Sequence, residues 1–317
     1  PGEWFRLYEP CPNGGFMKEG GLEVAREVFS KYEFDGAFWL GGSNWQTGCW
    51  CDRCKALYFD LFGEEMPTDP AQIRPLWYLE ESVQSAVHFY QSVMDVQPEM
   101  PYLRYYWPFD LDIGTGHPVP ADNIDLVAKQ GNTLTTEAQD VLSLGVCKLP
   151  EWNTPALRMK MGRTIEGFPP PVGIIHTCPG MDWRHTCMPE AEFLYWAAQI
   201  PANGGSYWTT FTGFADTIPD KRMLKTVGTL NRMTAKIEDD MAGADSDCAV
   251  MLISDGGIHL QGWAEALMCA HIDFDMLAHY QLCYERIKDY PVVIVPKGFA
   301  YSEESGRIFE DYVKNCG

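Results

Sequence analysis

The sequence predicts an α/β protein: a (β/α)8 barrel of the TIM type, its N-terminal part missing from this chain, followed by a second, doubly wound α/β unit. Three observations predict it. From residue 21 to about 210, helical and strand-like segments alternate, which is the pattern of repeated strand-helix units around a parallel sheet. The strand-like segments are continuous apolar runs, as suits strands buried on both faces. At "MAGADSD", residues 241–247, the composition shifts to small residues, and new short apolar strands begin beyond it.

The elements follow in order. "GLEVAREVFSKY" has apolar residues at helical spacing and leads into "FDGAFWLGG", an apolar run ending in glycines. A long helical region over roughly 70–96 precedes the short aromatic run "PYLRYYWPF". Then "NIDLVAKQ" leads into "GNTLTTEAQ", "TPALRMKMGRTI" into "PPVGIIHTCPG", and "EAEFLYWAAQI" into "GGSYWTTFTGF". That rhythm gives about five buried strands, and "EWFRLY" at residues 3–8 makes about six, short of the eight that a closed barrel needs. The chain opens on a strand-like run and ends at "YVKNCG", so trimming at both ends is expected.

The helix "KRMLKTVGTLNRMTAKIEDD" closes the first domain, expected over 1–242. The second, expected over 245–317, carries the strands of "CAVMLISD", "HIDFDML" and "YPVVIVPKG" and the helix "SEESGRIFEDYVKN", with Ser302 as its N-cap.

Charge narrows the partners. Forty-four acidic against 24 basic residues give −20, which argues against nucleic acid and anionic membrane, because phosphate binding needs clustered Lys and Arg. A neutral or cationic small molecule fits better. No apolar run reaches the roughly 18 residues of a membrane span. Eleven cysteines without regular spacing do not read as a disulfide framework, so a reducing, cytoplasmic setting is expected.

Three of those cysteines, Cys49, Cys51 and Cys54, crowd into "GCWCDRCK". Thiolates two and three residues apart can converge on one tetrahedral ion, and Cys11 in "EPCPNGG" is the candidate fourth ligand. Structural zinc is the first reading; free loop thiols are the plain alternative. A Cys51/Cys54 redox pair is disfavoured because the strand-to-helix setting of such motifs is not evident.

The "CPN" loop, the amphipathic helix, the apolar strand and "GCWCDRCKALYFDLFG" together resemble the family 42 glycoside hydrolases, the β-galactosidase-like barrel enzymes. "AHIDFDML", "YPVVIVPKG" and "SEESGRIFEDYVKNCG" are similar to the glutamine-amidotransferase-like, flavodoxin-type domain that follows the barrel there and takes part in trimer formation. The resemblance implies a four-cysteine zinc site, a carbohydrate substrate and a homo-oligomer, trimer or dimer.

The inherited mechanism does not carry over. Retaining glycosidases need two carboxylates roughly 5 Å apart. Counting back from Cys49, the family's Asn-Glu pair falls on Ser43 and Asn44, and an amide cannot protonate a leaving group. The position of the nucleophile, at the end of the seventh strand, is His176.

Another pair is therefore expected. Glu137 ends a buried strand, or begins a helix capped by Thr135 or Thr136. Its candidate partners are Asp182, beside Trp183 and Arg184, and Asp112, which with Asp110 can equally be a turn former. Asn44, Trp45, Trp107, His176, Arg184, His185 and Trp208 are the candidate sugar contacts, since sugar C–H faces pack on aromatic rings while hydroxyls need polar partners. The alternative is a barrel that binds carbohydrate without cleaving it.

Overall fold

The computed structural model describes residues 10–11, 13–39, 49–74, 77, 87–105, 131–139, 152–214, 216–254, 258–297 and 302–316. The chain divides into two compact units, Pro1–Tyr105 with Asp112–Asn132, and Tyr106–Leu111 with Thr133–Gly317.

In the first unit, helix α1 (Gly21–Lys31) leads to strand β1 (Ala37–Trp39), and helix α2 (Asp52–Phe62) follows the cysteine motif. A helical stretch over 87–94 precedes strand β2 (Tyr102–Tyr105), which pairs parallel with β1 through Ala37↔Tyr102 and Phe38↔Leu103. Val93, Met100 and Tyr102 pack with Phe29 and Ala37 beside that pair, so the apolar face of α1 is used where its spacing predicts. Helix α2 stops at Gly63, whose φ of 69° is left-handed and lets its N–H reach the Phe59 carbonyl. The strand expected at 3–8 lies outside the described residues.

The second unit holds two parallel sheets. Strands β3 (Thr133–Glu137), β4 (Val172–His176) and β5 (Ser206–Thr210) pair through Glu137↔Ile174, Ile174↔Trp208 and His176↔Thr210. Register partners point to one side, so the faces separate cleanly. Ala138 and Ile175 pack on Phe193, Trp196, Ala197 and Ile200 of helix α4 (Glu190–Ala202) and Leu230 of helix α5 (Arg222–Thr234). On that face Gly173 gives the helix a close approach, since a Cβ there would lie 2.9 Å from Ile200 Cδ1 and 3.1 Å from Ala138 Cβ. The opposite face carries Thr135, Glu137, Ile174, His176, Trp208 and Thr210.

The expected 221–240 helix is broken by a turn: α5 ends at Thr234, and a short helix α6 (Glu238–Met241) follows. Beyond the 241–247 segment the second sheet has strand order β7-β6-β8, with β6 (Val250–Ser254) central, β7 (Asp275–Ala278) and β8 (Val292–Ile294). All five residues of β6 are buried, as a parallel strand covered on both faces must be. Helix α7 (Ile258–Cys269) covers one face, and α8 (Tyr284–Ile287) with α9 (Glu303–Cys316) the other. Ser302 caps α9 as expected, its Oγ accepting from the Ser305 N–H at 3.0 Å. No helix among the described residues is long and apolar enough to cross a membrane.

Helix α3 (Thr154–Gly162) lies between the two sheets, buried from Pro155 to Gly162. Met159 joins the α4 core, whereas Leu157 and Met161 join the core of Leu252, Leu260 and Phe274. Its one lysine is provided for: Lys160 Nζ donates to Asp273 Oδ1 at 2.8 Å and to the Phe274 carbonyl at 2.7 Å. The arrangement is asymmetric, since the lysine side chain is 6% exposed and the aspartate 66%. Asp273→Ala leaves a buried ammonium with one carbonyl and should destabilise the protein by about 2–3 kcal/mol. Lys160→Met leaves a carboxylate already in water and should cost only about 1 kcal/mol. Urea unfolding of both variants checks the order; equal losses, or the reverse order, would refute it.

Candidate functional site

Two clusters of chemically capable side chains emerge, one in each unit. In the first, the cysteine motif folds onto the start of α2: Cys51 is its N-cap and Cys54 lies in its first turn. The Cys51/Cys54 pair sits at a helix N-terminus. The loop at Cys11 is the fourth arm. Its Sγ lies 3.7 Å from Cys51 Sγ and 3.4 Å from Cys54 Sγ, and all four sulfurs fall within 4.8 Å of one another.

These separations exclude disulfides, which need about 2.05 Å, and all four thiols are free. They match a metal instead, since a tetrahedron with bonds of about 2.3 Å has sulfur-to-sulfur edges of about 3.8 Å. Burial pushes the Cys11 thiol up to about 11 and raises Cys54 further. At Cys51 burial acts upward too, but hydrogen bonds from the Cys54 backbone N–H and the neighbouring thiols bring it down to about 7. Four thiolates this close repel one another, and a cation removes that repulsion. Asn13 Nδ2 donates to Cys54 Sγ at 3.5 Å, and Arg53 Nη1 holds the Asn13 carbonyl at 2.7 Å, an outer layer that orients the sulfurs. Tyr58, Met66, Ile73 and Trp77 pack beneath Cys54. The cluster is compatible with a structural metal, closed because four sulfurs leave no position for substrate.

The second cluster lies on the face of β3–β5 turned away from the helices. Glu137 is the last residue of β3, so of its two sequence readings the strand end is the one realised. His176 is the last residue of β4 and stands two places beyond Ile174, the register partner of Glu137. This diagonal is within reach of two long side chains, and His176 Nε2 meets Glu137 Oε2 at 2.6 Å. Both residues are buried, 7% and 8% exposed.

An ionised carboxylate offers only lone pairs, so toward one Nε2 is the donor. The histidine backbone is fixed as well, its N–H donating to Gln139 Oε1 at 3.3 Å. On β5, Thr210 is the register partner of His176, and its buried Oγ1 has no hydrogen-bond partner among the described residues.

The structure thus joins Glu137 to His176 and places Trp208, 37% exposed, one strand further on the same face. Asp182, Arg184 and His185 lie exposed on and just after a single 3-10 turn, Met181–Trp183, that follows β4. Asn44, Trp45, Trp107, Asp110 and Asp112 lie outside the described residues. Gln139 and Thr210 were missed. Period-two spacing from Glu137 points to Gln139, but Thr210 emerges only from strand register.

No protein-family model matches this chain, and no curated protein matches its sequence. Solved structures do match in fold. Against α-L-fucosidase isoenzyme 2 from Paenibacillus thiaminolyticus the TM-score is 0.72 at 16% identity, covering 97% of this chain and 44% of that one. Against the β-galactosidase from Bacillus circulans sp. alkalophilus it is 0.66 at 14% identity, covering 97% and 55%. Against the β-galactosidase from Rahnella sp. R3 it is 0.68 at 14%, covering 96% and 53%. The chain spans about half the length of these structures. The fold shared with these structures is a TIM-like α/β fold.

Metal analysis of the purified chain should find about one divalent ion per molecule. Cys54→Ser should remove it and lower stability by about 2 kcal/mol or more, while Cys283→Ser, at an exposed thiol, should change neither. An ion-free wild type with unaltered melting in chelator would eliminate the site.

Proposed function

We propose that this chain belongs to a glycoside hydrolase-like protein, related to family 42, that hydrolyses glycosidic bonds of a small or oligomeric carbohydrate with a catalytic pair of its own. One observation carries the reading: a buried glutamate at the carboxyl end of a parallel strand, on the face turned away from the helices, in a fold shared with a fucosidase and β-galactosidases. In barrel enzymes that end of the strands is where chemistry is built.

Glu137 acts as acid/base or nucleophile, with Asp182 or Asp112 as the second carboxyl. One carboxyl protonates the leaving oxygen while the other attacks the anomeric carbon or activates water. Trp208 offers an apolar ring for a sugar face, and Asn44, Trp45, Trp107, Arg184 and His185 supply the remaining contacts.

The cysteine cluster holds zinc as a structural ion in a reducing, cytoplasmic setting. Residues 1–242 form the barrel part. Residues 245–317 form an amidotransferase-like α/β domain; a homo-oligomer, trimer or dimer, follows from the family likeness.

A second reading, carbohydrate binding without cleavage, is favoured by one fact: what meets the Glu137 carboxylate is an imidazole, not another carboxyl. A panel of nitrophenyl glycosides separates the two. Hydrolysis that falls by about 10³-fold or more in Glu137→Gln supports the enzyme. Turnover untouched by that substitution rules Glu137 out, and saturable sugar binding without turnover selects the binding protein.

A further inference from the structure

The four thiols of the cysteine cluster are not equivalent. Cys54 is 0% exposed, packed with Tyr58, Met66, Ile73 and Trp77, and its sulfur accepts from Asn13 Nδ2 at 3.5 Å. Cys11 and Cys49 are half-buried, and of the four only Cys51 is exposed. A solute that reaches the cluster therefore meets the Cys51 sulfur first. The Cys11 sulfur stands 3.7 Å from it, on a loop 40 residues away in the chain.

We propose that the cluster is a redox-sensitive tie: a hydroperoxide oxidises Cys51, Cys11 closes a disulfide onto it, and the metal ion is given up. The inference rests on the metal reading of the cluster and is independent of glycosidase activity. Three features carry it. First, cysteines that hold a metal are thiolates, the form of sulfur that attacks an oxygen–oxygen bond, and Cys51 is the one within reach of solvent.

Second, Cys51 is the N-cap of α2 and Cys54 lies in its first turn, a setting that favours reactive, negatively charged sulfur. Third, the geometry selects the partner. Cys11 has to close only from 3.7 Å to about 2.05 Å, and it stands on a loop rather than in the core. Cys54 is fixed among buried rings, and Cys49, two residues from Cys51, would close a ring too short for an unstrained disulfide.

The reaction balances with the peroxide as the only oxidant. The Cys51 thiolate attacks one peroxide oxygen, the oxygen–oxygen bond breaks, and hydroxide leaves as Cys51 becomes a sulfenic acid. The Cys11 thiolate then attacks the Cys51 sulfur, the sulfur–oxygen bond breaks, and a second hydroxide leaves. Two protons from solvent make two waters, and two electrons have passed from sulfur to the peroxide. Cys49 and Cys54 remain, too few thiolates for a closed tetrahedral site. The Cys11 loop stays joined to α2, now covalently, and a dithiol reverses the exchange.

The test treats the purified whole chain, carrying its metal, with hydrogen peroxide at neutral pH beside a chromogenic zinc chelator, then alkylates, digests and maps the peptides by mass spectrometry. One ion released for each Cys11–Cys51 disulfide is expected, with dimedone trapping the sulfenic acid on Cys51. Release should run about tenfold or more ahead of oxidation at Cys269 and Cys283, exposed thiols outside the cluster. Dithiothreitol with added zinc should restore the loaded protein. The oxidised chain should melt above chain stripped of its ion by chelator in reductant.

A disulfide joining any other pair, oxidation of Cys269 or Cys283 ahead of Cys51, zinc retained after those two thiols are oxidised, or an oxidised chain that melts with the stripped one each overturns the proposal and leaves the metal reading in place. Protein that holds no ion before treatment removes the metal reading, and the proposal falls with it.

Discussion

Helix α3 is the constraint on which the larger unit depends. A helix of nine residues that is buried on all sides has to satisfy two cores at once, and α3 divides its side chains between them, Met159 toward α4 and Leu157 with Met161 toward β6 and α7. A lysine in such a helix is tolerated only because Asp273 and the Phe274 carbonyl meet it, with the Phe274 ring 5.1 Å from the ammonium. Just past the helix, the Thr164 carbonyl accepts from Gln281 at 2.9 Å and from Arg286 at 2.8 Å. The second sheet therefore supplies the polar partners that allow α3 to be buried.

That packing bears on the candidate site through α4. With α3, α4 and α5 covering one face of β3–β5, the other face is left for polar side chains, and strand alternation selects Glu137, His176 and Thr210 for it. The chemistry and the core are thus two faces of the same three strands. At the strand ends the buried polar groups pair with each other rather than with the core, and this is where an unmet hydroxyl and a half-used carboxylate remain.

The cysteine cluster works by another principle. Cys11, Cys49 and Trp50 pack on the core of Cys54, Tyr58, Met66, Ile73 and Trp77, and the convergence of four sulfurs on one point adds to it; Tyr58 and Trp77 meet edge to face with ring centres 5.5 Å apart. Its cysteines were legible because three of them lie within six residues, a spacing that keeps them close whatever the rest of the chain does. The fourth was legible only through its proximity to a strand-end loop. Asp182 and its neighbours show the opposite case. Their composition suits a sugar site, but whether an exposed turn serves one depends on what stands across from it.

The sequence by itself determined the order of elements, the parallel βα rhythm, the strand-end positions of Glu137 and His176 and the convergence of four thiols. These follow from local periodicity and short spacings, which the chain cannot evade once its backbone is hydrogen-bonded. Only the tertiary structure decided that Glu137 meets an imidazole 39 residues away, that Thr210 stands beside it unpaired, and that Lys160 is met by Asp273 across 113 residues. Register and helix packing set those contacts, and both depend on how buried volumes fit together, which is written in no single stretch of the chain.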